Sequence, residues 1–508
     1  MLMMAHELEA HKAHDLLPGV HDLQAYVQEA AAQGTPAHEV ERGIWRRILA
    51  LGRTALGQFF DLQGTGDLGP TVELADDRTV QRLDEVHIRN YRSIFGDFAL
   101  PRTAYGMREG QKIEFVPLDT RLQLPASDYS YLLQEWDMTL GCESSFGRVA
   151  ATLEEVLGLK QSVDSLERIS RQMAELVTPF RAGRPRPADD EEGAVVVTQA
   201  DGKGVVIRRA AAEPKIQGHR RKGQKAKKKR MAIVGTIYTI DRARRTAEEV
   251  IASLFREPKA PRPDPPAVPR PEPLHKHVWA SLSYEQDGQE VRGTDQVFGW
   301  LSAELSRRNP GQRKETVHLM DGQESLWDAT AEYLPRANVV EELDFLHVTP
   351  RVWEAAHLFI KEGSDEATAC VRERLQRILE GEVSGVVRGL RAMGTRRHLG
   401  ATKRKRLETI CGYLQKNASR MRYDEYLAKG YPIASGVIEG ACRHYVKDRM
   451  ERAGMHWTLL GAQAMLDVRS EYLNGDWMGF HKYRIQGETG RLYPHRERLD
   501  EIPWPVAA

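Results

Sequence analysis

At 508 residues the chain is long enough for two to four domains, each with its own core. Lys and Arg number 73 against 72 Asp and Glu, so net charge alone announces no nucleic-acid or membrane-surface partner. Cys142, Cys370, Cys411 and Cys442 lack any paired spacing, which speaks against a disulfide framework, and no apolar run approaches the roughly 18 residues of a membrane helix.

The opening MLMMAHELEAHKAHD is too acidic and histidine-rich for a signal peptide. His6, His11 and His14 read as a solvated helix face, and a reducing cytoplasm is the expected setting. Residues 1–180 read as mostly helical. Ile44, Ile48, Leu49, Leu51 and Leu56 recur at helical spacing, and the pattern shortens towards strands over 86–124, including EFVPLDTRLQL. Residues 146–173 offer two short helices broken at Gly158, with Val149, Leu153 and Val156 lining the first and Leu166, Ile169 and Met173 the second. That is the minimum of a helix-turn-helix, which any αα-hairpin shares.

RAGRPRPADDEEG, at 181–193, reads as a linker. Strand-like runs follow at 194–199, 204–208, 231–240, 277–282 and 316–320. A proline-rich excursion at 256–273 interrupts them and is neither helix nor central strand. Residues 346–430 read as helical, 431–475 carry a last acidic motif on a helix, and 476–508 form a tail. Strands first and helices later, with crossings between, predict an α/β catalytic domain (core 194–345) with a helical insertion.

Three acids stand out. VVVTQADGKGV, at 195–205, is an apolar run that delivers Asp201 to a glycine; Asp-Gly between apolar runs is equally a hairpin signal, which makes Asp201 a turn residue. In ETVHLMDGQESLW a second strand delivers Asp321 to a glycine ahead of a helix, and the alternative is a capping pair with Glu324. In YPIASGVIEGACRHYVKDRMERAGMHW a turn at Ser435 leads into a helix carrying Glu439, with Arg443 and Lys447 at four-residue intervals; a salt-bridged surface has the same pattern. Two runs concentrate positive charge without any acid, 215–230 with nine Lys or Arg and 396–406 with six. Such runs are solvated loops or footprints of phosphate contact.

Together, Asp201 in TQADGKGV, Asp321 in HLMDGQESLW and Glu439 in ASGVIEGACRHYVKDRMERAGMHW resemble the catalytic core of DDE transposases of bacterial insertion sequences, in particular the Kra-four group related to Mutator-type transposases. The likeness spans about 194–460. It is most specific around Glu439, where Lys447, Arg449, Gly454, Met455 and Trp457 fall in the expected places, and in the preceding YLQKNASRMRYDEYLAKGYPIASG. It implies a ribonuclease H-like fold, with Asp201 on the first strand, Asp321 on the fourth and Glu439 on a helix after the insertion, preceded by a mostly helical N-terminal DNA-binding region. It also implies that the three acids hold two Mg2+ ions, with Mn2+ as a substitute, about 3.5–4 Å apart as in two-metal phosphoryl sites. Asp201 would bridge the two.

The implied activity is cleavage and joining of DNA at the element's terminal inverted repeats and a target, by at least a homodimer during synapsis. Asp344 and His347 in ELDFLHV resemble the Asp-x-x-His signature of such enzymes and are expected to support strand handling or site order, not to act in catalysis directly; a buried, satisfied histidine is the alternative. Lys203, Arg443, Lys447, Arg449, Trp457, Lys227, Lys228 and Lys229 are the expected DNA contacts. Relatives often carry a Cys-x-x-Cys knuckle after the strand that here reads FGDFALPRTAYG; the chain continues MREGQKIEFVPLD, so no zinc is expected. A nuclease on the same fold that does not transpose, and a DNA-binding relic without activity, are the rival readings.

Overall fold

Side-chain alternation along one segment organises the larger part of the protein. In the computed structural model, Val195 and Val197 of the strand Val195–Val206 (β1) enter one apolar core, while Val196 and Ala200 enter another on the opposite face. A strand that is apolar on both faces belongs at the centre of a sheet. On one side β1 pairs antiparallel with Lys229–Ile240 (β2), which pairs antiparallel with Leu274–Leu282 (β3). On the other side it pairs parallel with Glu315–Met320 (β4), which pairs parallel with Val339–Leu343 (β5). The sheet is therefore mixed, in the order β5-β4-β1-β2-β3, and the fold is mixed α/β.

The first core is completed by helices Phe345–His357, Asp365–Leu379, Val383–Arg396, Ala401–Lys416 and Tyr423–Lys429, through residues such as Val352, Leu375, Leu390 and Leu414. Helices Gly293–Arg308 and Glu324–Tyr333 cover the other face with Val297, Phe298, Leu301, Leu326 and Trp327. The exposed edge of β3 is closed by side-chain amides. Asn474 accepts from Val278 N (2.8 Å) and donates to Val278 O (3.2 Å), while Gln463 accepts from Leu282 N (2.9 Å) and donates to Ala280 O (3.1 Å). Carried by helix Leu459–Leu473 and its C-cap, they stand in for a sixth strand.

The Asp-Gly hairpin is corrected by this pairing. β1 runs straight through Asp201, which lies opposite Val234, and the two strands stay in register out to Val206 opposite Lys229. Twelve paired residues on each strand override a two-residue turn preference.

The structure describes residues 15–504 except 109, 111, 209–228, 257–269, 287 and 453. Lys227 and Lys228, most of the run at 215–230, the proline-rich stretch at 257–269 and the three N-terminal histidines lie outside the described residues. The chain divides into two units, Val177–Gly475, described above, and Met1–Leu176 with Asp476–Ala508. In the second unit the helical pattern near Ile44 lies within Ala37–Gln63, which pairs with Leu16–Gln33. His87–Ser93 and Gly96–Arg102 form a hairpin. Residues 117–122, expected as strand, are instead the helix Pro117–Leu122, begun by a proline where a missing N–H costs nothing. Phe146–Leu157 and Val163–Ala174 meet at Gly158, whose φ of 71° makes the left-handed cap. Val149, Leu153, Leu166, Ile169 and Met173 are buried, but Val156 is exposed and its carbonyl accepts from Trp45 Nε1 at 2.7 Å. Helix Trp477–Leu492 returns to this unit, where Arg484 donates to Gln134 (2.7 Å) and Trp504 Nε1 to Gln63 O (3.0 Å). Among the described residues, no helix is long and apolar enough to cross a membrane.

Candidate active site

Strand registers bring the aspartates together. β4 pairs with β1 as far as His318 opposite Thr198, and with β5 as far as Met320 opposite Leu343. Carried on along the strands, these registers set Asp321 level with both Asp201 and Asp344. Asp344 N donates to Met320 O at 2.8 Å, which fixes the last step. Asp201 within β1, and Asp321 and Asp344 one residue past the ends of β4 and β5, thus share one level of three parallel strands.

Their local bonding differs. Asp201 accepts from Gly202 N (2.6 Å) and from Cys442 Sγ (3.4 Å). Asp321 Oδ1 accepts from Gln323 N at 2.8 Å, Gln323 is the N-cap of the next helix, and Glu324 turns away to Lys416 at 2.9 Å. The alternative capping pair is therefore not formed. Asp344 is fully buried and caps the helix Phe345–His357. Its Oδ1 accepts from Leu346 N (2.9 Å) and Ser435 N (3.1 Å), and its Oδ2 from Ser435 Oγ and from His347 Nδ1 (2.5 Å). Those four donors match the roughly four lone-pair sites of a carboxylate.

Glu439 arrives on the helix Gly436–Ala441, which Gln199 ties to β1 by accepting from Ile438 N at 3.0 Å. The helix then widens into a π-turn at Cys442–Lys447, a feature frequent at functional sites. Two of its carbonyls are satisfied by the buried Arg469, which donates to Tyr445 O (3.1 Å) and His444 O (2.8 Å). Arg443 and Lys447 are exposed, and Cys442, Tyr445 and Val446 are buried.

The acids share one electrostatic environment. Burial pushes the Asp321 carboxyl up, reinforced by the charges of Asp201 and Asp344 and opposed by the Gln323 amide and His347. Glu439 is raised by partial desolvation and then by Asp344 and Asp201. His347 is raised, first by its hydrogen bond to Asp344 and further by the charges of Asp344, Asp321 and Asp201, against a smaller effect of burial. Among the described residues, Asp344, His347 and Glu439 form a group whose candidate ligand atoms all lie within 4.8 Å of one another.

The expected DNA contacts are placed unevenly. Lys203 lies half-buried in β1 opposite Ala232, and Lys229 is paired with Glu451. Arg449 is only 1% exposed, its guanidinium stacking 4.8 Å from the Trp457 ring. Trp457 is buried as well, its indole donating to Met450 O at 3.2 Å and its backbone bonding to Val206 O (3.1 Å) and Arg208 N (2.7 Å). The pair fastens the end of the Glu439 helix to the far end of β1, so both side chains are occupied by packing. Gln199, Cys442, Ser435 as a ligand of Asp344, and Arg469 were not readable as site residues; a buried amide or an arginine remote in sequence leaves no local pattern.

No match is found among protein-family models or among curated proteins. Among solved structures, a Drosophila P element transposase strand transfer complex is similar at a TM-score of 0.23 and 11% identity, over 69% of this chain and 80% of that one. A likeness of that size carries no weight for topology or chemistry, which rest on the registers and bonds above.

Proposed function

We propose that the chain is a DDE-type transposase that binds the ends of an insertion sequence and catalyses cation-dependent cleavage and transfer of DNA strands, with Asp201, Asp321 and Glu439 as the catalytic acids. The observation that carries this reading is the level row of Asp201, Asp321 and Asp344 on three parallel strands, with Glu439 brought to it on a helix tied to Gln199. The sheet order, with β1 central, β2 and β3 antiparallel and β4 and β5 parallel, supports a ribonuclease H-like core. A core at 194–345, an insertion at 346–430, and an N-terminal DNA-binding region at 1–180 belong to the same reading.

The donor set fits a hard divalent cation. Asp321 and Glu439 are both held above the usual carboxylate range, partly by neighbouring negative charge that no cation of the protein offsets fully, and such cations take oxygen ligands. Asp201, Asp321 and Glu439 would hold two Mg2+ ions, with Mn2+ as a substitute. When bound, such ions neutralise charge on the attacking and leaving oxygens of a phosphodiester. The chain's own residues do the positioning. Gln199 fixes the Glu439 helix, Asp344 orients His347 by its Nδ1, and Arg443, Lys447 and Lys203 present positive charge to the strand being cut. Synapsis of two ends requires at least two copies.

The decisive experiment measures cleavage and joining of a labelled duplex carrying the element's terminal repeat, with Mg2+ or EDTA, for wild type and Asp201→Ala. Nicking and joining that vanish in EDTA and in the variant support the proposal. Nicking without joining assigns a non-transposing nuclease, and binding without cleavage in any cation sinks the catalytic reading.

A further inference from the structure

The basic run at 396–406 plays no part in the acid cluster, yet the fold gives it a fixed place. It forms the turn between helices Val383–Arg396 and Ala401–Lys416. Arg397 donates to Phe359 O (3.1 Å) and Lys403 Nζ to Leu358 O (3.1 Å), anchoring the turn on the C-terminal end of helix Phe345–His357. That helix starts at Asp344, inside the acid cluster, and has 13 residues. At about 1.5 Å per residue, the basic turn stands about 20 Å from the acids.

Internal stability accounts for only part of the charge found there: Arg396, in the last turn of helix Val383–Arg396, suits that helix's macrodipole, whereas Arg404 and Lys405 have no such role. Helix Ala401–Lys416 has no side-chain cap and no acid in its first turn, which instead carries Lys403 and Arg404, followed directly by Lys405 and Arg406. Cations at a helix N-terminus oppose the macrodipole. Arg406 is paired with Glu354, and Arg397 comes within 4.0 Å of Glu366. Arg396, Arg404 and Lys405 are exposed and have no side-chain partner among the described residues. Departures from local preference of this kind are expected where a function compensates them.

We infer that this turn is a backbone clamp for duplex DNA, gripping the duplex about six base pairs from the phosphodiester at the acids, because about 20 Å spans six steps of roughly 3.4 Å. A duplex fits because it is stiff over this length and carries phosphates at regular intervals, so one straight rod meets both places without bending. The position of the cut rests on the transposase reading; the grip on phosphates does not.

The test uses the full chain and a labelled duplex, with affinity measured against salt concentration. Replacing Arg396, Arg404 and Lys405 together by Glu should weaken binding at least tenfold and lower the slope of log affinity against log salt by about two to three, near 0.9 per lost contact. The matching Gln set should act in the same direction and decides the matter if the Glu set fails to fold. Unchanged affinity and slope overturn the clamp while leaving the transposase reading intact, whereas a wild type that binds no duplex defeats both. Spacing is read by placing a photoreactive side chain at position 405 on a complex with nicked duplex. A cross-link about six base pairs from the nick is expected, and a cross-link beside the nick overturns the spacing.

Discussion

Gln199 accepts from the backbone N–H of Ile438 at 3.0 Å, joining a site two residues before Asp201 to one just before Glu439. Ile438 is the third residue of its helix, where an N-cap side chain ordinarily supplies the acceptor. Ser435 holds the N-cap position, but its hydroxyl is committed to Asp344, so a strand residue supplies the cap instead. Gln199→Leu should leave a buried donor unpaired at a cost of about 1–3 kcal/mol. It should also loosen Glu439, so cleavage falls further than duplex binding does. Thermal unfolding and single-turnover cleavage check the two halves.

Asp321 and Glu439 are held above their ordinary values, so at these two groups the folded state binds more protons than the unfolded chain once pH passes the unfolded carboxylates at about 4. Their contribution to stability without cation therefore declines as pH rises from there through the raised values, and bound divalent cation should restore it. Saturation at about 100 times Kd corresponds to roughly 2.7 kcal/mol. Asp321→Asn should melt higher than wild type in EDTA at neutral pH yet gain little from Mg2+. A full Mg2+ gain in that variant would place the cation elsewhere; calorimetry with and without Mg2+ decides.

His347 titrates in the opposite sense. Its folded value is raised by the bond to Asp344, so the stabilisation is fully present below the unfolded histidine value of about 6.5 and is lost as pH rises through the higher folded one. In Asp344→Asn the imidazole should titrate lower, read from its ring-proton shifts in EDTA. The same change also disturbs the acceptors of Leu346 N and Ser435 N, so a lower melting temperature should accompany it.

The runs ending at Asp201 and Asp321 were legible because both faces of β1 and β4 are buried, which leaves VVVTQA and TVHLM without an acid, lysine or arginine. Their alignment was not, since it depends on pairing between segments about 120 residues apart, for example Thr198 with His318. β5 is hidden in the sequence because VVEEL places two acids in a five-residue strand; Glu341 is paired with Arg420, and Glu342 is fully buried. The burial of Arg449 is not legible from its charge, because a guanidinium stacked on an indole can be covered completely. The helices of 346–430 were readable from periodicity, but that they pack on the same sheet face as Val195 and Val197 follows only from the assembled core.

The π-turn offers the sharpest separation of architecture from chemistry. Widening the helix at Cys442–Lys447 disturbs its carbonyl ladder, and Arg469 answers it with donors to His444 O and Tyr445 O from helix Leu459–Leu473. Arg469→Met keeps much of the buried volume but withdraws both donors, at a cost of roughly 2–6 kcal/mol if each carbonyl is left unpaired. The segment can recover by tightening to ordinary α-helix, which rotates Arg443 and Lys447 relative to Glu439. Cleavage should then fall at least tenfold in variant protein that remains folded, while the salt slope of duplex binding changes little, because the exposed cations are all retained. Equal loss of binding and cleavage would make Arg469 a core residue only, with no part in orienting the site.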